Sequence, residues 1–173
     1  IRIFNTYGPR MMPNDGRVVS NFIIQALKGE NITVYGDGVQ TRCFTYVGDV
    51  VDALIRIAQV PEAEGQVFNI GSDKEVSIND LAALVKDTLN STSSIVHIPY
   101  TQQFGAQFED ISRRVPDISK IQSYIDFQPG AELVRIIREV AEHLLTQSKG
   151  AASDLIGDVD AAFDRQSEIG QQR

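Results

Sequence analysis

Seven polar side chains stand at expected strand ends and loops: Asn5, Arg10, Asn21, Tyr35, Arg42, Arg113 and Arg114. Arginine presents paired donors that match the oxygens of a phosphate, and asparagine can both donate to and accept from a base or a sugar. Together these types could hold a phosphorylated ligand. A plainer reading accompanies each one, since Arg10 or Arg113 can be solvated and Asn5 can serve only to support a turn. From composition alone the plainer reading is favoured.

Other chemistries find less material. His97 lies in an apolar run and His143 in a helical one, and neither has a second histidine at metal-ligand spacing, so structural or surface roles are expected and no metal site is assigned. Cys43, flanked by Arg42 and Phe44, is read as a buried small hydrophobe, with a thiolate activated by the neighbouring cation as the alternative. No glycine triplet follows a strand and opens a helix, so the sequence offers no pyrophosphate cradle of the dinucleotide type. None of Tyr7, Tyr35, Tyr46, Tyr100 and Tyr124 has a lysine four residues on, and no catalytic residue is assigned.

The elements that must position the polar set follow from periodicity. Ile1 to Phe4 reads as a strand entering the turn-rich Asn5-Thr6-Tyr7-Gly8-Pro9. Val18 to Leu27 carries one buried helical face and stops at Gly29. Ile32 to Tyr35 and Thr41 to Val47 flank Gly36-Asp37-Gly38, which predicts a hairpin. A helix opens at Asp49 and breaks at Pro61, and Val67 to Ile70 is a short buried strand of the kind that pairs in a parallel sheet, whose other members are expected upstream. Ser77-Ile78-Asn79-Asp80 matches a capping box ahead of a helix through Leu89, and Ile95 to Ile98 is a strand. Thr101 to Arg114 reads as an exposed loop, Asp117 to Tyr124 as a short helix, and Leu133 to Leu145 as a longer amphipathic one. From Thr146 onward the composition predicts a mobile tail, with a short helix around Asp154 to Phe163 as an option.

With 173 residues and 42% hydrophobic content, one domain with a real core is expected. The net charge of -7 argues against a nucleic-acid partner, although a small phosphorylated ligand needs only a few local cations. A single cysteine excludes an intrachain disulfide and fits the cytoplasm, and no apolar run reaches the roughly 20 residues that span a bilayer. A chain that opens inside a strand is expected to be part of a longer protein.

Three longer motifs carry a resemblance: Arg2-Ile3-Phe4-Asn5-Thr6-Tyr7-Gly8-Pro9-Arg10-Met11, then Asp15-Gly16-Arg17-Val18-Val19-Ser20-Asn21-Phe22-Ile23, then Thr33-Val34-Tyr35-Gly36-Asp37-Gly38 with Gln40-Thr41-Arg42. With Arg113-Arg114-Val115-Pro116-Asp117-Ile118-Ser119-Lys120, they resemble the extended short-chain dehydrogenase/reductase family, and within it the UDP-glucuronate decarboxylases. Departures are Gly48, where Asp or Ser is usual, Ile111 for a common Pro, and Asp126-Phe127 for a frequent Gly-Trp.

The resemblance implies an α/β fold, the end of a Rossmann-type parallel sheet plus the small substrate-binding subdomain. It implies a nucleotide-sugar-binding portion over residues 1–145 and a polar tail over 146–173. By likeness, Asn5 contacts the nucleotide sugar, Val18, Val19, Asn21 and Phe22 line the nucleotide pocket, and Tyr35 and Arg42 hold the base and phosphate end. One of Arg113 and Arg114 reaches the diphosphate, and Arg10, Arg17 and Thr33 join the set from the same motifs. The complete enzyme would bind NAD and a UDP-sugar, oxidise C4 of a UDP-sugar acid, lose CO2 from the β-keto acid and reduce the 4-ketopentose, working as a homodimer. The glycine-rich loop and Tyr-x-x-x-Lys would lie upstream of Ile1, so this chain alone is expected to be inactive. A 4-epimerase or 4,6-dehydratase portion, a stand-alone nucleotide-sugar-binding module and a purely structural interaction domain are the alternatives.

Overall fold

The computed structural model describes residues 1–13, 16–104 and 110–150. In chain order its elements are β1 (Arg2–Ile3), β2 (Thr6–Tyr7), α1 (Val18–Lys28), β3 (Ile32–Tyr35), β4 (Thr41–Cys43), β5 (Thr45–Tyr46), α2 (Val47–Ile57) and β6 (Asn69–Ile70). They continue with β7 (Glu75–Ser77), α3 (Ile78–Thr88), β8 (Ile95–Ile98), α4 (Tyr100–Phe104), β9 (Arg113–Arg114), α5 (Ser119–Ile125) and α6 (Leu133–Gly150). One 3-10 turn, Pro61–Ala63, follows α2.

Local chemistry explains the helix ends. Gly29 takes the left-handed conformation at φ 71 and closes α1, a position where the missing Cβ removes the steric cost. At the other kind of end, the Ser77 side chain accepts from the Asp80 backbone N–H at 3.0 Å and donates to the Asp80 carboxylate at 2.6 Å, capping α3. Asp126 closes α5 in the left-handed region at φ 48, a conformation that Asp tolerates better than most side-chain residues. Phe127 next to it is buried in the smaller of two apolar clusters.

Two apolar clusters hold the chain together. In the larger, α1 and α3 cover β3 and α6 packs on both helices, through Val19, Phe22, Ile23, Ile32, Val34, Leu81, Val85, Ile136, Ile137 and Val140. In the smaller, α2 and α5 close over β6 through Val50, Ala53, Ile57, Phe68, Ile70, Ile121 and Phe127. The strand expected over Val67 to Ile70 is shorter, with Val67 exposed, and its parallel partner, expected upstream, is β1 of this chain, Arg2 opposite Asn69 and Ile3 opposite Ile70. Ile1 and Ile3 remain about half exposed, at 51% and 53%.

Several expectations change. The predicted hairpin is absent: β3 pairs in parallel with β8, Ile32 opposite Ile95, whereas β4 pairs antiparallel with β7 and parallel with β9. Gly36 and Gly38 have positive φ but Asp37 does not, so the turn lacks the consecutive left-handed pair of a type I′ hairpin. Asp37 Oδ1 instead accepts from the Val39 N–H at 3.1 Å, and the chain is redirected onto a different sheet. The stretch from Thr101 to Arg114, read as loop, contains most of α4 and all of β9. Helix α2 begins at Val47, two residues before Asp49. Helix α6 continues to Gly150, into the stretch read as tail, and the optional helix at Asp154 to Phe163 lies outside the described residues. Among the described residues no helix is long and apolar enough to cross a membrane.

Candidate functional site

The three-stranded sheet β7-β4-β9 sorts the arginines. Side chains on neighbouring strands that stand opposite one another point to the same face, and successive residues point to opposite faces. Arg42 stands opposite Val76 on one side and Arg114 on the other. Thr41 stands opposite Ser77 and Arg113, and Cys43 opposite Glu75. The Arg113-Arg114 pair is therefore split, with Arg114 sharing a face with Arg42 and Arg113 turned to the other.

Hydrogen bonds agree with this division. Arg113 donates to Glu75 through Nε at 3.1 Å and Nη2 at 2.6 Å, and the Thr41 hydroxyl adds a bond to the same carboxylate at 2.7 Å. Those bonds, Arg113's first, hold Glu75 below the ordinary carboxylate range. Arg114 lies over the Phe4 ring at 5.8 Å, next to Asn5 in the chain. The backbone carbonyl of Asn5 accepts from the Thr45 N–H at 3.0 Å, which fixes that residue where β2 meets β5.

Arg42 is held by a chain of polar contacts. Its Nη1 donates to the Thr41 carbonyl and its Nη2 to Asp110 Oδ1, both at 2.7 Å. The other oxygen of Asp110 accepts from the Tyr100 hydroxyl at 2.7 Å. Gln40 Nε2 donates to that hydroxyl at 2.7 Å and reaches the Tyr35 carbonyl at 3.3 Å. Burial raises the Tyr100 phenol well above its ordinary value, and the hydrogen bond to Asp110 adds to it, so the hydroxyl stays protonated and donating. Burial likewise raises Tyr35. The Tyr100 ring rests on the Gly36 turn, where an added Cβ would come within 2.4 Å of it. Gln40, Tyr100 and Asp110 were not among the residues expected from the sequence. Gln40 belongs to the quoted Gln40-Thr41-Arg42 motif and Tyr100 follows the apolar strand Ile95 to Ile98 by two residues, which are the sequence signals that point to them.

Elsewhere the expected set is less unified. Arg17 precedes α1, donates to the Thr6 carbonyl at 3.0 Å and lies 5.9 Å from the Tyr7 ring centre. Arg10 is exposed and takes a positive φ of 68. On α1, Val18 and Asn21 are half-buried, but Val19 and Phe22 are 0% and 2% exposed within the larger apolar cluster. The Val19 and Phe22 side chains, expected to line the nucleotide pocket, are turned into the core by helical periodicity. Thr33 is taken up by α1, its N–H donating to Gln25 Oε1 at 3.0 Å and its hydroxyl accepting from Gln25 Nε2 at 3.3 Å.

The remaining reactive types have structural surroundings. His97 is exposed and bonded to Asn79 Oδ1 at 2.9 Å, and His143 bonds Gln147 along α6. Among the described residues no group of three His, Cys, Asp or Glu side chains is placed to hold a metal ion. Cys43 is 2% exposed, and burial, with the Glu75 and Asp73 charges, pushes its thiol up to about 11. The activated-thiolate alternative therefore has no support. We expect no alkylation of native Cys43 by iodoacetamide at neutral pH and rapid alkylation after denaturation in guanidinium. Stoichiometric labelling of the folded chain, followed by mass spectrometry, would contradict the buried, protonated thiol.

Comparison with known proteins extends this picture. Residues 1–71 match the NAD dependent epimerase/dehydratase family. A UDP-N-acetyl-alpha-D-glucosaminuronate decarboxylase of Bacillus cytotoxicus is 40% identical over 144 residues, covering 82% of this chain and 44% of that protein. A UDP-glucuronic acid decarboxylase of Arabidopsis thaliana is 44% identical over 132 residues, covering 76% of this chain and 28% of that protein. The solved UDP-glucose 4-epimerase of Thermotoga maritima, with UDP-glucose, superposes with a TM-score of 0.71 at 28% identity, over 84% of this chain and 45% of its own. The chain spans less than half the length of each.

Proposed function

We propose, from the match of residues 1–71 to the NAD dependent epimerase/dehydratase family and the likeness to two decarboxylases, that residues 1–145 form the nucleotide-sugar-binding portion of a decarboxylase acting on a UDP-linked uronic acid. The proposed substrate is UDP-glucuronate and the proposed product UDP-xylose. The observation that supports this most is the placement of Arg42 and Arg114 opposite each other on one face of β4 and β9. Two guanidinium groups side by side suit the two phosphates of a nucleoside diphosphate, each offering paired donors.

In this reading Arg42 and Arg114 hold the diphosphate, Tyr35 lies toward the base, and Asn5 meets the sugar. Val18 and Asn21 line the nucleotide side, Arg17 borders it, and Arg10 and Thr33 have peripheral parts. Arg113 supports the sheet through Glu75. NAD would supply the hydride acceptor in the complete enzyme. Among the described residues, no glycine-rich turn between a strand and a helix N-terminus is present to cradle its diphosphate, and that cradle would belong to the rest of the enzyme. The residues seen here bind and orient the nucleotide sugar.

A second reading, a 4-epimerase portion, draws on the solved epimerase that superposes on the chain. The decarboxylase reading is favoured because the two curated decarboxylases share 40% and 44% of aligned residues against 28% for that epimerase. Calorimetric titration of the chain with UDP and with UDP-glucuronate tests the binding role, and no heat with either would remove it. Supplying the complete protein with NAD and UDP-glucuronate tests the chemistry. CO2 and a UDP-pentose are expected, whereas UDP-galacturonate without CO2 would establish the epimerase.

A further inference from the structure

The carboxylate of Asp110 stands where a diphosphate site should repel one. Like charges disfavour each other, so an acid bonded to Arg42 weakens an anion's attraction unless its effect on the guanidinium outweighs that repulsion. Among the described residues, two of the five N–H donors of Arg42 are occupied, one by the Thr41 carbonyl and one by Asp110, which leaves three to face a ligand. A long side chain fixed in this way loses less freedom when the ligand arrives. Asp110 is in turn fixed by Tyr100, whose ring is seated on the Gly36 turn and whose hydroxyl sits between Gln40 and Asp110.

From this geometry we infer that Tyr100 and Asp110 are positioning residues that aim Arg42 at the diphosphate of a nucleoside diphosphate, with Gln40 tying the arrangement to the Tyr35 backbone. The inference rests on the assignment of Arg42 to the diphosphate. It adds two residues that need not touch the ligand and gives a reason for an acid beside an anion site. Tyr100 also couples the two ends of the nucleotide, because the turn that carries its ring leads from Tyr35 to Arg42.

The test uses the full chain titrated with UDP and, separately, with uridine, which lacks phosphate. Tyr100→Phe removes one hydroxyl without changing charge, and is expected to weaken UDP roughly fivefold while leaving uridine unchanged. Asp110→Asn, at an exposed position that tolerates an amide, is expected to weaken UDP by a similar factor although it removes a like charge. In an Arg42→Ala background both effects should vanish, since no guanidinium is left to aim. Tighter UDP binding by Asp110→Asn would overturn the inference, as would equal losses for UDP and uridine or losses that persist without Arg42. If Arg42→Ala itself leaves UDP affinity unchanged, the diphosphate assignment fails first and the inference falls with it.

Discussion

Arg42→Ala should weaken UDP binding roughly 30- to 100-fold, or about 2–3 kcal/mol, while Arg113→Ala should change it less than twofold. The contrast follows from the β4 register. The Arg42 side chain is only 15% exposed and is bonded to Asp110, so truncation removes charge-assisted donors and leaves a carboxylate facing the anion. Arg113, at 67% side-chain exposure on the opposite face, is committed to Glu75. Arg114→Ala should fall between them at roughly five- to tenfold, since its guanidinium shares the Arg42 face but lies over Phe4 without a bonded carboxylate among the described residues. Calorimetry at two salt concentrations checks this, because losing a phosphate contact should also flatten the salt dependence of binding. Equal losses for Arg42 and Arg113 would mean that the two faces of the sheet do not divide the work.

What the sequence disclosed and what it hid follow from the range of the forces involved. Helices were legible because their signals are local: the apolar spacing of Val18 to Leu27 ended at Gly29, and Ser77 capped the helix at Ile78. Strand existence was legible too, but strand partners were not. Ile32 finds Ile95, far along the chain, and a hairpin motif of Gly36-Asp37-Gly38 gave no indication that Asp37 avoids positive φ. In the site, residue types and family likeness pointed to Arg42 and to the Arg113-Arg114 pair. The division of that pair could not be read, because a two-residue strand has no alternation of its own to show which face is covered. Asp110 and Tyr100 were missed for a related reason: their partners Arg42 and Gln40 are 68 and 60 residues away, and only the folded sheet brings them together.

Phe22 gives the strongest test of which face α1 turns to the core. As a pocket residue, its replacement by alanine would lower ligand affinity and leave most of the stability intact. As a core residue, 2% exposed among α3, α6 and β3, the same replacement removes a large side chain from a closed interior and leaves a cavity. Phe22→Ala is then expected to cost about 3–5 kcal/mol of unfolding free energy, a large share of the 5–15 kcal/mol typical of a domain. At the usual sensitivity of about 2–4 °C per kcal/mol for a chain of this size, the thermal midpoint should drop by roughly 6 to 20 °C. Asn21→Ala, one residue earlier and half-buried, should move the midpoint far less and act on UDP affinity instead. A urea titration of both variants beside a UDP titration separates the two roles. If Phe22→Ala kept the wild-type midpoint and lost UDP affinity, α1 would have to present this face to the nucleotide, and the helix would be rotated from the orientation that buries Val19 and Ile23.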